Sequence, residues 1–190
     1  MVVIGSGRAW FGGAVTDRAL QIAAVARCPV AVIGRNADDG GRQGVVVGVD
    51  GSEESTQAVA FAAGEADRAG QVLTVLHAFG NPRFKVLEGM PGSDLAERAA
   101  EEERVILAET AAGLAENYPD LVVHQELVLD TDPEQALVEA AAGARLLVLG
   151  SRGRGAFKRL LLGSTAHAVL SQLPCPTVVT RIRRVQHDGL

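Results

Sequence analysis

Residues 44–49 read GVVVGV, an unbroken apolar run rich in β-branched valine. A run without polar alternation suits a strand covered on both faces, as in a parallel sheet. Four more runs follow: QVLTVLHAF at 71–79, LVVHQELVL at 121–129, RLLVL at 145–149 and CPTVVTR at 175–181. Ala-rich stretches between them predict helices over 52–70, 94–118, 132–143 and 164–173. The first opens on Ser52 with Glu53 and Glu54 in its first turn, and the third opens on Asp132 and Pro133. Both are helix-start signals. Strand and helix alternate throughout, which predicts an α/β fold: a doubly wound five-stranded parallel sheet with right-handed crossovers over 44–182. Residues 80–93, with Pro82 and Pro91, form a loop long enough to suggest function or disorder. Residues 183–190 are expected to be a frayed tail.

The start of the chain repeats its end. MVVIGSGR at 1–8 resembles LLVLGSRGR at 146–154, and RCPVAVIGR at 27–35 resembles PCPTVVTR at 174–181. Gly-Ser and Cys-Pro recur in matching places, which favours duplication over the general likeness of strand–helix–strand units. Residues 1–35 therefore read as a partial, degenerate repeat (strand-helix-strand), joined to 44–182 by a flexible polar linker, NADDGGRQ at 36–43. Val30–Ile33 is expected to lie antiparallel to residues 178–181, within the chain or from a second copy. The far edge of that lobe could then join two chains as a homodimer.

Composition narrows the classes. Hydrophobic residues make up 47% of the 190, too many for a disordered chain. No apolar run approaches the roughly 18 residues that span a bilayer, so no membrane partner is expected. A net charge of −5 argues against nucleic acid as a partner. Two cysteines and the absence of a signal-like start fit a reducing, cytoplasmic compartment. Cys28 and Cys175 read as small buried residues at strand starts, and no histidine has zinc-site spacing.

The chemistry gathers after the fourth run. Gly150 and Gly153 are followed, after nine intervening residues, by Gly163, Ser164 and Thr165 at a helix start. Glycines let a ligand approach the backbone and expose its amides. A helix start adds unpaired N–H groups and a positive dipole end, and the two hydroxyls add donors. Together these suit phosphate oxygens, at the carboxyl edge where open α/β sheets bind ligands. Asp50 ends the first run at the same edge, where an acid commonly accepts from ribose hydroxyls. Arg152 and Arg154 could add charge near the phosphates. The plainer readings are tight turns for Gly150 and Gly153, a helix cap for Ser164, and a solvated helix face for Glu101, Glu102 and Glu103.

The spacing Gly150-x2-Gly153-x9-Gly163-Ser164, with VGVDGSEES at 47–55, VLTVLHAF at 72–79 and PCPTVV at 174–179, resembles the ATP-binding universal stress proteins. The resemblance covers 44–182, and the whole chain looks like the C-terminal part of a tandem-domain member. It implies strand order 3-2-1-4-5 and an ATP cofactor carrying Mg or Mn on its phosphates. It also implies roles: Asp50 on the nucleoside, the Ala78 backbone on adenine, Gly150 against ribose, and Gly153, Gly163 and Ser164 along the phosphates. Thr165 joins them from the helix-start geometry. The N-terminal copy keeps Gly5 and Gly7 but puts Thr16 and Asp17, or Gly13 and Ala14, where Gly163 and Ser164 stand, so it is not expected to bind nucleotide.

Three function classes remain open. One is a nucleotide-dependent regulatory protein. A second is a related adenine-nucleotide enzyme, a hydrolase or nucleotidyl transferase. A third is a nucleotide-independent dimerisation module. Residues 49–52, VDGS, lack the Ser-Gly-Gly loop of the pyrophosphatases, and no base–nucleophile pair is evident. Binding with at most slow hydrolysis is the expectation; the intact glycine signature counts against the third class.

Overall fold

The computed structural model describes residues 1–5, 17–34, 41–80, 95–154 and 161–182. Along the chain run β1 (Val2–Gly5), α1 (Asp17–Val25), β2 (Val30–Ile33), β3 (Val45–Val49), α2 (Glu53–Ala69) and β4 (Leu73–Phe79). Then follow α3 (Leu95–Ala111), α4 (Leu114–Asn117), β5 (Val123–Leu129), α5 (Pro133–Ala141), β6 (Leu146–Gly150), α6 (Ser164–Gln172) and β7 (Thr177–Thr180). The strands form one sheet in the order β1-β2-β7-β6-β3-β4-β5. The five strands expected from the apolar runs are β3 to β7. They lie 3-2-1-4-5, and every pair among these five is parallel.

The valine run of β3 is apolar on both sides because both sides are covered. Val45, Val47 and Val49 pack under α2 and α3, against Ala58, Val59, Ala62 and Leu107. Val46 faces the other layer, with Leu137 of α5 and Val169 of α6. Helix α2 starts where Ser52 accepts from the Ser55 N–H at 3.2 Å and stops at Gly70, whose φ of 60° only glycine adopts freely. The single helix expected over 94–118 is instead two. Gly113, at φ 79°, turns the chain between α3 and α4.

At the other edge β1 runs parallel to β2, and β2 runs antiparallel to β7, with Val30, Ala31 and Val32 opposite Val179, Val178 and Thr177. Ala19 and Ala23 of α1 close over Val30, Val32, Val179 and Leu170. The first segment is thus continuous with the main sheet. Residues 41–43 of the expected flexible linker are fastened rather than loose. The Arg42 guanidinium donates to the carbonyls of Ala142, Ala144 and Pro174 at 3.2–3.3 Å, and the Gln43 N–H donates to Gly143. The rest of that linker (36–40), most of the loop expected at 80–93, and the tail lie outside the described residues. No helix among the described residues is long and apolar enough to cross a membrane.

Candidate functional site

From β3 the chain steps to β4 on one side, and later places β6 on the other. The connections leave these two strands in opposite directions, so a crevice opens beyond their carboxyl ends. Asp50 directly follows β3, and Gly150 ends β6.

Asp50 is held by both oxygens. Oδ1 accepts from the Ser52 N–H at 3.0 Å and its hydroxyl at 2.6 Å, across Gly51 at φ 76°. Oδ2 accepts from the Arg154 N–H at 2.6 Å. Asp50 therefore ties the glycine loop to the end of β3. A carboxylate offers about four acceptor positions, so one remains.

The three glycines differ in what they make room for. A Cβ on Gly150 would sit 3.1 Å from the carbonyl of Glu54, in the first turn of α2. A Cβ on Gly153 would collide with Oδ2 of Asp50. On Gly163 it would find only ordinary contacts, 3.4 Å to Arg152 Cα and 3.5 Å to the Ser151 carbonyl. The protein's own packing thus explains Gly150 and Gly153, but leaves Gly163 unexplained. Gly163 is also the N-cap of α6, with extended φ −67° and ψ 154° and no side-chain cap. Ser164 is the first helical residue, not the cap, which corrects the plainer reading of it. The first amides of α6 keep their positive end open.

Ala78 comes from β4. The Val72 carbonyl bonds β3 and the Leu73 N–H bonds the β5 side. The strand period of two then turns the Ala78 backbone groups toward β3. The last ladder pair there is Val49 with His77, so the Ala78 carbonyl points past the end of β3.

All seven residues singled out in the sequence line one cavity of about 480 Å³. That lies within the roughly 300–1,000 Å³ of small-molecule sites. One part of the wall is apolar, from Leu76, Pro133, Leu137 and Leu149. Arg152 lines the cavity too, and its Nη2 is 3.2 Å from Oε1 of Glu54. Arg154 is not in the wall; its guanidinium turns to Glu103 at 3.0 Å.

Beneath the site lies a network the sequence reading missed. His77, 2% exposed, has Nδ1 2.7 Å from the Val49 carbonyl, to which it must donate. Its Nε2 is 2.5 Å from Glu103 Oε2, with one proton between them. The same oxygen accepts from Arg154. Glu103 thus joins the strand beside Asp50, the strand carrying Ala78 and the glycine loop. Glu101 and Glu102 are exposed as expected, but Glu103 is 7% exposed, which corrects the solvated-face reading. The signal was present: Glu103 falls at helical spacing from Ala100, Leu107 and Ala111, all buried.

The family model for the universal stress protein family matches residues 41–181. The chain belongs to the universal stress protein family. A universal stress protein of Mycobacterium tuberculosis is 40% identical over 188 residues, 95% of this chain and 61% of that one. A second from the same organism is 36% identical over 183 residues, 94% and 59% of the two chains. This chain thus spans less than two thirds of the length of those curated relatives. Among solved structures, a universal stress protein from Archaeoglobus fulgidus shares the fold at TM-score 0.57 and 20% identity, over 86% of this chain and 53% of that one. A universal stress protein in complex with cAMP matches at TM-score 0.53 and 26% identity, over 74% and 98%.

The cysteines of this universal stress protein stand outside the cavity wall. Burial pushes the Cys175 thiol up to about 11 from an ordinary 9, against smaller opposing effects of Arg42 and two hydrogen bonds. Cys28 is half-buried. Iodoacetamide at pH 8, followed by peptide mass mapping, is expected to label Cys28 well before Cys175. The folded thiol binds its proton more tightly than the unfolded one. Stability from this group is therefore complete below pH 9 and falls as pH rises through 11.

Proposed function

We propose that residues 41–181 bind an adenine nucleotide, ATP with Mg or Mn on its phosphates, and that occupancy regulates a partner in the stress response. The observation that carries this is a single cavity combining an apolar slot with a glycine loop and an uncapped helix start. A planar base fits among Leu76, Leu137 and Leu149, with its exocyclic amine donating to the Ala78 carbonyl. Ribose lies between Gly150 and the remaining acceptor position of Asp50. The phosphates meet the amides of Gly153, Gly163 and the first turn of α6, with Ser164 and Thr165 donating. The divalent ion would sit on the phosphate oxygens. Among the described residues no three His, Cys, Asp or Glu side chains gather to hold one unaided. A family member in complex with cAMP supports the ligand class. Asp50, the one carboxylate among the described residues of the wall, is occupied by three donors, which favours holding ATP over turning it over quickly.

Titration calorimetry with MgATP is expected to give one site per chain. Mass spectrometry of the ligand released from the purified protein should then find an adenine nucleotide. No heat with ATP, ADP, AMP or cAMP, and none of them released, would end this reading.

A further inference from the structure

We propose that Arg152 is the residue that distinguishes a polyphosphate from a shorter ligand, and that Glu54 competes with the ligand for it. The inference rests on the nucleotide reading and assigns its phosphate specificity.

Arg152 alone among the described arginines lines the cavity. Its backbone sits at the foot of α6, in contact range of the Gly163 position. Its ion pair with Glu54 is a single contact at 3.2 Å. That is longer than the ~2.7–2.9 Å of a strong charge-assisted bond, and the guanidinium fork is better satisfied by two oxygens at once. Its Nε is buried and has no acceptor among the described residues. Natural proteins rarely leave a buried charged donor so.

The surroundings push the same way. Arg181, at the end of β7, donates to the carbonyls of Ala23, Ala24 and Leu161. Burial, and then the nearness of Arg152, lower its pKa. Of the two described carboxylates here, Asp50 is already engaged by three donors of the loop and the end of β3, which leaves Glu54 to face two guanidiniums and the positive end of α6. A chain of phosphate oxygens entering past Gly163 answers that excess. Glu54 holds Arg152 in the meantime and keeps it off the smaller ligands. Adenosine and AMP would place little or no charge as far as Arg152, whereas the distal phosphates of ATP would offer it paired oxygens.

The test measures affinities of the wild type, Arg152→Ala, Arg152→Lys and Glu54→Gln for MgATP, AMP and adenosine. Arg152→Ala is expected to weaken ATP at least about tenfold and leave AMP and adenosine within about twofold. Arg152→Lys should recover part of the loss, since it keeps the charge without the fork. Glu54→Gln should tighten ATP and leave AMP unchanged. AMP binding also reports that each variant is folded. An unchanged ATP-to-AMP ratio in Arg152→Ala, or weaker ATP binding in Glu54→Gln, overturns the selector and leaves the site standing. A wild type silent to all three ligands overturns both.

Discussion

Gly153→Ala is expected to weaken ATP binding by roughly 10- to 100-fold, and to do so by moving the protein rather than by touching the ligand. The added methyl would occupy the place of Asp50 Oδ2, which accepts from the Arg154 N–H at 2.6 Å. Asp50 cannot retreat freely, because Ser52 holds its other oxygen through two hydrogen bonds. The loop must lift and lose the bond. A hydrogen bond to a charged group is worth about 1.5–3 kcal/mol, which sets the estimate. Gly163→Ala is the informative companion. Its methyl has room in the protein, so an unchanged melting temperature with weakened ATP would place the phosphates against that residue. Calorimetry showing full ATP affinity in both variants would remove the loop from the site.

Glu103→Ala is expected to destabilise the fold by about 3–5 kcal/mol, the range for breaking a buried charged pair from one side. His77 would keep its bond to Val49, but its other nitrogen would be left buried without a hydrogen-bond partner, and Arg154 would lose its carboxylate. Glu101→Ala, two residues away, should change stability by no more than about 0.5 kcal/mol, because that side chain is exposed and its pair with Arg104 is exposed too. Urea midpoints of the two variants make the comparison. Near-equal midpoints would show that the buried network carries little of the stability. Glu103→Gln, which keeps an acceptor oxygen without the charge, should fall between them.

The order of apolar runs was enough to lay out β3 to β7, because a strand buried on both faces needs no polar alternation and is read from composition alone. Gly48 shows the limit of that reading. It looks like a strand weakener, yet a Cβ there would meet Leu137 and Leu149 at 2.8 Å. The glycine spacing and Asp50 were legible because backbone approach and helix-start chemistry depend on residues close in the chain. The link from Glu103 to His77 was not, since it joins α3 to β4 across 26 positions and only the fold brings them together. The break at Gly113 was hidden for a different reason: a glycine within an Ala-rich helix is tolerated as often as it bends the chain. Arg152 and Arg154 look equivalent in sequence, yet in the fold Arg152 turns to Glu54 while Arg154, its backbone clasped by Asp50, turns to Glu103.

The sheet reverses direction between β7 and β2. The carboxyl ends of β3, β4, β6 and β7 gather on one rim, and those of β1 and β2 on the opposite rim. The carboxyl end of β1 and the crevice beside Asp50 therefore lie at opposite poles of one sheet. Helix α1 leads from the first pole back to the second. Its last carbonyls, at Ala23 and Ala24, come to rest on the crevice rim, where Arg181 joins them to Leu161. One side chain thereby staples the carboxyl end of the first segment's helix to the stretch of chain that leads into α6.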